Sequence, residues 1–169
     1  MTRVASHDHA AFRELLSRHL DSIHRYLLRL AGSAEDADDF AQETFLRVWL
    51  NASKYEPGRV AVTTWVHRIA HNVCVDEMRR RRGTTTLAQV LKPHTDEPDE
   101  SGPKERFEHL QAALGSLPEA QRSAIVLCRI QGFSNRDAAR IMNVSVRALE
   151  SLLARARRKL RLRLAELER

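Results

Sequence analysis

Apolar positions recur at helical spacing along nearly the whole chain. Phe12, Leu15, Leu16, Ile23, Leu27 and Leu30 follow the stripe of an amphipathic helix. Gly32 ends it, and Ser33 with Asp36 three residues on offers a cap for a second helix that turns Ala37, Phe40, Ala41, Phe45 and Val48 inward. Pro57 and Gly58 stop that helix, because both residues punctuate helices. A third helix is predicted over residues 62–81, with Val62, Trp65, Val66, Ile69 and Val73 on its inner stripe. Over residues 83–104 the periodicity disappears. Pro93, Pro98 and Pro103 stand there with Asp96, Glu97, Asp99 and Glu100, a composition that cannot bury a core and predicts a linker.

Beyond the linker, Phe107, Leu110 and Leu114 mark an amphipathic segment, and Leu117-Pro118-Glu119 opens another helix with proline early in its first turn. Gly132 closes that helix. Ser134, with Asp137 at the third position, caps a short helix, and the turn Asn143-Val144-Ser145 leads into a long last helix from Val146. Hardly any stretch alternates with strand period. The predicted class is all-α: two small helical domains, residues 8–82 and 105–167, joined by the acidic, proline-containing linker 83–104.

Residues 134–158 have the pattern of a helix-turn-helix. On the last helix Val146, Leu149, Leu153, Ala156, Leu160 and Leu164 form one apolar face, and Arg147, Ser151, Arg155 and Arg158 project from the other. The planar arginine fork can bond a guanine edge bidentately or grip a phosphate. Residues 144–169 carry eight Lys and Arg against three Glu, so they hold most of the formal net charge of +6. A cationic run is often only a solvated face. The capped helix before it and the opposed faces favour DNA contact instead. A stand-alone helix-turn-helix regulator would fit this half of the chain equally well.

The remaining chemistry is sparse. No apolar run approaches the roughly 20 residues of a membrane-spanning helix. Cys74 and Cys128 lie far apart, and the first ten residues lack a basic-then-apolar leader, so a reducing, cytoplasmic setting is expected. His67, His71, Cys74 and Met78 share one face of the third helix and are ligand types for zinc or copper. A closed zinc site needs four well-placed ligands and no second cluster accompanies them, so the stripe is expected to pack against another helix or an inhibitor. No glycine-rich phosphate loop, Ser-His-Asp set or paired catalytic carboxylates stand out. The expectation is a protein that is not an enzyme and has no metal, cofactor or small-molecule substrate.

With Phe40, Phe45 and Val48 inward, Asp39, Gln42, Glu43, Leu46 and Leu50 of helix two point outward, an apolar centre with a charged rim that suits a docking patch. Helix three presents an outward stripe of Arg68, Asn72, Val75 and Arg79, followed by Arg80, Arg81 and Arg82, able to hold phosphates and a base edge of a separated strand.

Residues 36–49, DADDFAQETFLRVW, and residues 64–72, TWVHRIAHN, resemble the region-two signatures of the extracytoplasmic-function (ECF) sigma factors of the sigma-70 superfamily. Residues 117–157 resemble the region-four domain of the same family. Three such stretches in register along a chain of this length make the resemblance specific. It implies a subunit that binds core RNA polymerase through its β and β′ subunits, directs promoter recognition and initiation, and has an anti-sigma factor as a further partner. Asp38, Asp39, Gln42, Glu43 and Leu46 then fall on the polymerase-docking surface. Tyr55, Arg59, Arg68, Asn72, Arg79 and Arg80 fall on the surface for the opened −10 strand, and Arg147, Ser151, Arg155 and Arg158 on that for the −35 duplex. The chain departs from its relatives at Glu150 and Leu152, which stand where basic residues are common, at Asn143, which replaces a frequent glycine, and at Val60-Ala61-Val62, where an aromatic is frequent.

Overall fold

The computed structural model of the protein describes the backbone of residues 1–84 and 102–167, and the side chains of residues 1–81 and 107–163. Eight α-helices follow in order: α1 (Thr2–Ala5), α2 (His9–Ala31), α3 (Ala34–Leu50), α4 (Val62–Thr84), α5 (Gly102–Gly115), α6 (Glu119–Ile125), α7 (Asn135–Met142) and α8 (Val146–Leu167). A 3-10 turn at Ala52–Lys54 follows α3, and a π-helical turn at Val126–Ile130 extends α6. There is no strand among the described residues. Acidic residues 96, 97, 99 and 100, with Pro93 and Pro98, lie outside the described residues. The helices run further into the expected linker than its composition suggested: α4 reaches Thr84, and α5 already begins at Gly102.

Helix ends follow local chemistry. Asp8 accepts the N–H groups of Ala10 and Ala11 at 2.9 and 3.0 Å and so caps α2, where free donors would otherwise face solvent. At the other end Gly32 adopts φ 79°, a left-handed turn that lets its N–H reach Leu28 O at 2.9 Å. Ser33, Ser134 and Ser145 cap α3, α7 and α8 through their hydroxyl oxygens. Asn143 takes the left-handed position between α7 and α8 at φ 53°, the role a glycine would otherwise fill.

The first lobe packs α2, α3 and α4 around Ile23, Leu27, Phe40, Phe45, Val48, Val66 and Val73, all buried. The second packs α5 to α8 around Leu114, Leu127, Ile141, Leu149, Leu153 and Ala156. The lobes are not separate beads: α4 lies against α2 and α3 on one side and α7 on the other, and one apolar cluster runs through both. This follows from a second buried face on α4. Besides Val66, Ala70 and Val73, it buries His67, His71 and Cys74.

Several expectations on single positions need correcting. Val62, Trp65 and Ile69 pack against the core but are only half-buried, whereas Val66, Ala70, Val73 and Cys74 of α4 are fully buried. Val146, the first residue of α8, is 41% exposed. Leu152, which stands where basic residues are common, is half-buried against the core.

Candidate functional site

Three exposed faces carry the candidate residues. The first is a groove of about 790 Å³ between α2 and α3. Its floor is apolar, from Phe12, Leu16, Ala41 and Phe45, and its rim carries Asp21, His24, Arg25, Asp38 and Gln42. Leu46 is 50% exposed on the α3 bank and Leu20 faces it from α2. Trp49 closes one end, with Phe12 edge-on at 4.9 Å and His9 stacked at 5.0 Å. His24 Nε2 meets Asp38 Oδ1 at 2.9 Å, tying the two banks together.

Of the five docking residues expected from sequence, Asp38, Gln42 and Leu46 therefore come together at this groove. Asp39 and Glu43 are on the other flank of α3. Asp39 lies near Arg81, and Glu43 pairs with Arg47 at 2.6 Å. Leu20, His24, Arg25 and Trp49 were not expected there. The signal in the sequence was Leu20, one helical turn after Leu16 and left out of the stripe that Ile23, Leu27 and Leu30 continue.

The second face is the outer side of α4 and the loop before it. Arg68, Asn72, Arg79 and Arg80 are exposed on α4, with Arg80 paired to Glu77. Arg81 reaches back to Asp36 at 2.5 Å, securing the end of α4 to the start of α3. In the loop, Tyr55 donates its hydroxyl to Val60 O at 2.9 Å and meets Trp65 edge-on at 5.5 Å, so Trp65 supports the loop. Arg59 is exposed and pairs with Glu56 at 2.8 Å. Arg59 and Arg68 share a cleft with Arg140, Asn143 and Val144 of the helix-turn-helix, a juxtaposition the sequence did not suggest.

The third face is α8. Arg147, Ser151, Arg155 and Arg158 are all exposed, and the buried Leu149, Leu153 and Ala156 hold the helix on its opposite side. Ser151 donates its hydroxyl to Arg147 O at 3.0 Å, and Arg155 Nε donates to Ser151 O at 3.2 Å. Glu150 is exposed as well, so a carboxylate shares the outer surface with these arginines.

The histidine and cysteine stripe of α4 faces inward. His67 Nδ1 bonds Thr63 O at 2.9 Å and His71 Nδ1 meets the Tyr26 hydroxyl at 3.0 Å. Burial lowers both imidazoles from an ordinary 6.5 to about 4 and pushes the Cys74 thiol up to about 12. These residues are neutral packing groups. No cluster of three or more His, Cys, Asp or Glu able to hold a metal occurs among the described residues. Nor is any helix among them long and apolar enough to cross a membrane.

Comparison with known proteins agrees with this layout. The family "Sigma-70 region 2" matches residues 15–84, and "Sigma-70, region 4" matches residues 107–160. The ECF RNA polymerase sigma factor SigE of Mycolicibacterium smegmatis is 37% identical over 155 residues, covering 88% of this chain and 59% of that one. The chain thus spans less than two thirds of SigE. The ECF RNA polymerase sigma factor SigM of Mycobacterium tuberculosis is 35% identical over 153 residues, covering 90% of this chain and 76% of that one. Among solved structures, the sigma factor RpoE in complex with the anti-sigma factor NepR from Bartonella quintana superposes with a TM-score of 0.73 at 25% identity, over 94% of this chain and 99% of that one. With both sigma regions matched in order and relatives of this similarity along nearly the whole length, the chain belongs to the ECF sigma factors of the sigma-70 family.

Proposed function

We propose that the chain acts as a promoter-specificity subunit, with one task on each of the three faces. The groove between α2 and α3 receives helices of the core polymerase β′ subunit. An apolar floor with a mixed-charge rim suits such a partner, because burying Leu20 and Leu46 drives association while Asp38, Gln42 and Arg25 set register. Asp39 and Glu43 extend the contact along the opposite flank of α3. Arg68, Asn72, Arg79 and Arg80 hold the backbone and one base of an opened −10 strand, with Tyr55 and Arg59 from the loop. Arg147, Ser151, Arg155 and Arg158 enter the major groove of the −35 duplex, and the β subunit holds the second lobe.

The first lobe spans residues 8–82 and the second 105–167, joined by the linker 83–104. An anti-sigma factor competes for these surfaces, as the RpoE complex with NepR suggests by analogy. The protein works in the cytoplasm, and catalysis belongs to the polymerase.

The observation that carries this reading is the groove, an apolar, rimmed surface on the lobe that matches sigma region two. Its test is competition titration against core polymerase. Burying the exposed half of Leu46 is worth about 1 kcal/mol, and a rim hydrogen bond from Gln42 about as much. Gln42→Ala with Leu46→Ala is therefore expected to weaken core binding about tenfold or more with the helical content unchanged. Asp39→Lys with Glu43→Lys weakens it from the other flank. Unchanged affinity in both double variants would remove the docking assignment.

A further inference from the structure

The seam between the lobes has a chemistry that none of the three faces uses. At its centre the His67 ring lies between Phe133 of the second lobe, 4.7 Å away and edge-on, and Tyr26 of α2 at 5.5 Å. Its Nδ1 donates to Thr63 O, so Nε2 carries the lone pair, and Nε2 is buried without a hydrogen-bond partner. A proton added there would place a charged donor in an aromatic enclosure with nothing to receive it. One turn on, the neutral His71 shares a hydrogen bond with the Tyr26 hydroxyl. Other hydrogen bonds across the seam, Gln131 with Ser22, Arg122 with Leu30 O and Gln111 with Leu28 O, do not involve an imidazole.

We propose that the two lobes form a closed state held at His67 only while its imidazole is neutral, so that acidification parts them. The inference goes beyond the promoter reading and requires only the two packed lobes. The ionisable and charged groups around the ring give the proton no refuge. From α2 it meets His19, which opposes a second positive charge, and Tyr26, whose ionisation burial suppresses. On α4 itself stand His71 and the exposed Arg68. The helix packed on α4 from the second lobe, α7, brings Arg136 and Arg140, both exposed, and Asp137, which is engaged by Ser134 and Arg140. Glu119 and Arg122 of α6 act at Cys74, two turns further along α4.

The direction of the effect follows from burial. His67 titrates at about 4 when enclosed and near 6.5 once water reaches it. The closed state therefore has its full stability above 6.5 and loses it as the pH falls toward 4. Between pH 7.5 and 5.5 the ratio of closed to open molecules falls about tenfold where parting fully hydrates the ring. Opening would also separate Arg59 and Arg68 from Arg140 and Asn143, freeing the −10 face from the helix-turn-helix.

Small-angle X-ray scattering of the full chain at pH 7.5 and 5.5 tests this, with circular dichroism at both pH values. The wild type should gain radius of gyration at pH 5.5 with its helical signal intact, and His67→Phe, which cannot take up a proton, should stay compact at both. A wild type of constant size, a His67→Phe protein that expands like the wild type, or an expansion that accompanies loss of helix would each overturn the proposal. Titration of the His67 Cε1–H resonance in the unmodified protein checks it without a variant. A midpoint depressed below the ordinary 6.5 but above the enclosed value of about 4 is expected, and one at the ordinary value would refute it.

Discussion

Arg122 offers a quantitative test of how the lobes are joined. Its side chain is buried, and Nη1 donates to Leu30 O at 2.7 Å, across the seam, at the C-terminal end of α2. Nη2 donates to Gly115 O at 3.2 Å and Leu117 O at 3.4 Å, in the turn before α6. The last carbonyls of a helix have no partner within it, and a cation placed there also meets the negative end of the helix dipole. Arg122→Met keeps the apolar stem and removes the guanidinium. Loss of one short, charge-assisted bond costs about 1.5–3 kcal/mol, and the two longer bonds and the dipole contribution bring the expected loss to about 2–4 kcal/mol.

That is a large fraction of a stability typically about 5–15 kcal/mol, so urea unfolding resolves it readily. Both tryptophans, Trp49 and Trp65, are in the first lobe, so their fluorescence reports that lobe while circular dichroism reports all helices. In the wild type the two signals should fall together. In Arg122→Met the dichroism should fall first, because the second lobe has lost its strongest polar tie to the first. A stability loss under about 0.5 kcal/mol with coincident transitions would show that Arg122 is a passive solvated cation and refute the reasoning.

Two further predictions follow from the faces and the turn. Arg155→Ala should relax sequence preference in the −35 element by about 1–3 kcal/mol of discrimination, measured by binding to promoter mutants, whereas Asn72→Ala should leave duplex recognition intact and reduce permanganate reactivity of unpaired thymines. Full opening by Asn72→Ala would refute that division of labour. Asn143→Gly should match or exceed the wild type in thermal unfolding, since glycine takes φ 53° freely, whereas Asn143→Val should lose about 1 kcal/mol or more; equal stability of the two variants would contradict the left-handed turn.

Much of this protein is local, and the local part was legible in the sequence. Periodicity set the stripes of α2 and α3, Gly32 and Ser33 marked the break between them, and Ser134 and Asn143 bounded the helix-turn-helix, because caps and turns depend on residues only a few positions apart. The outward positions of Arg68, Asn72, Arg147, Ser151 and Arg155 followed from the same spacing. The helices extend to Thr84 and from Gly102, two and three residues inside the span 83–104, since glycine and proline are tolerated in the first turn of a helix.

What the sequence did not determine was everything that needs two helices at once. The groove takes one bank from α2 and the other from α3, so Leu20 and His24 come to line it only when α3 sets Asp38 and Leu46 beside them. That the His67, His71 and Cys74 stripe of α4 packs against another helix was legible in its spacing, but its partners were not, because Tyr26 and Phe133 reach His67 from different lobes and burial there keeps the imidazole neutral.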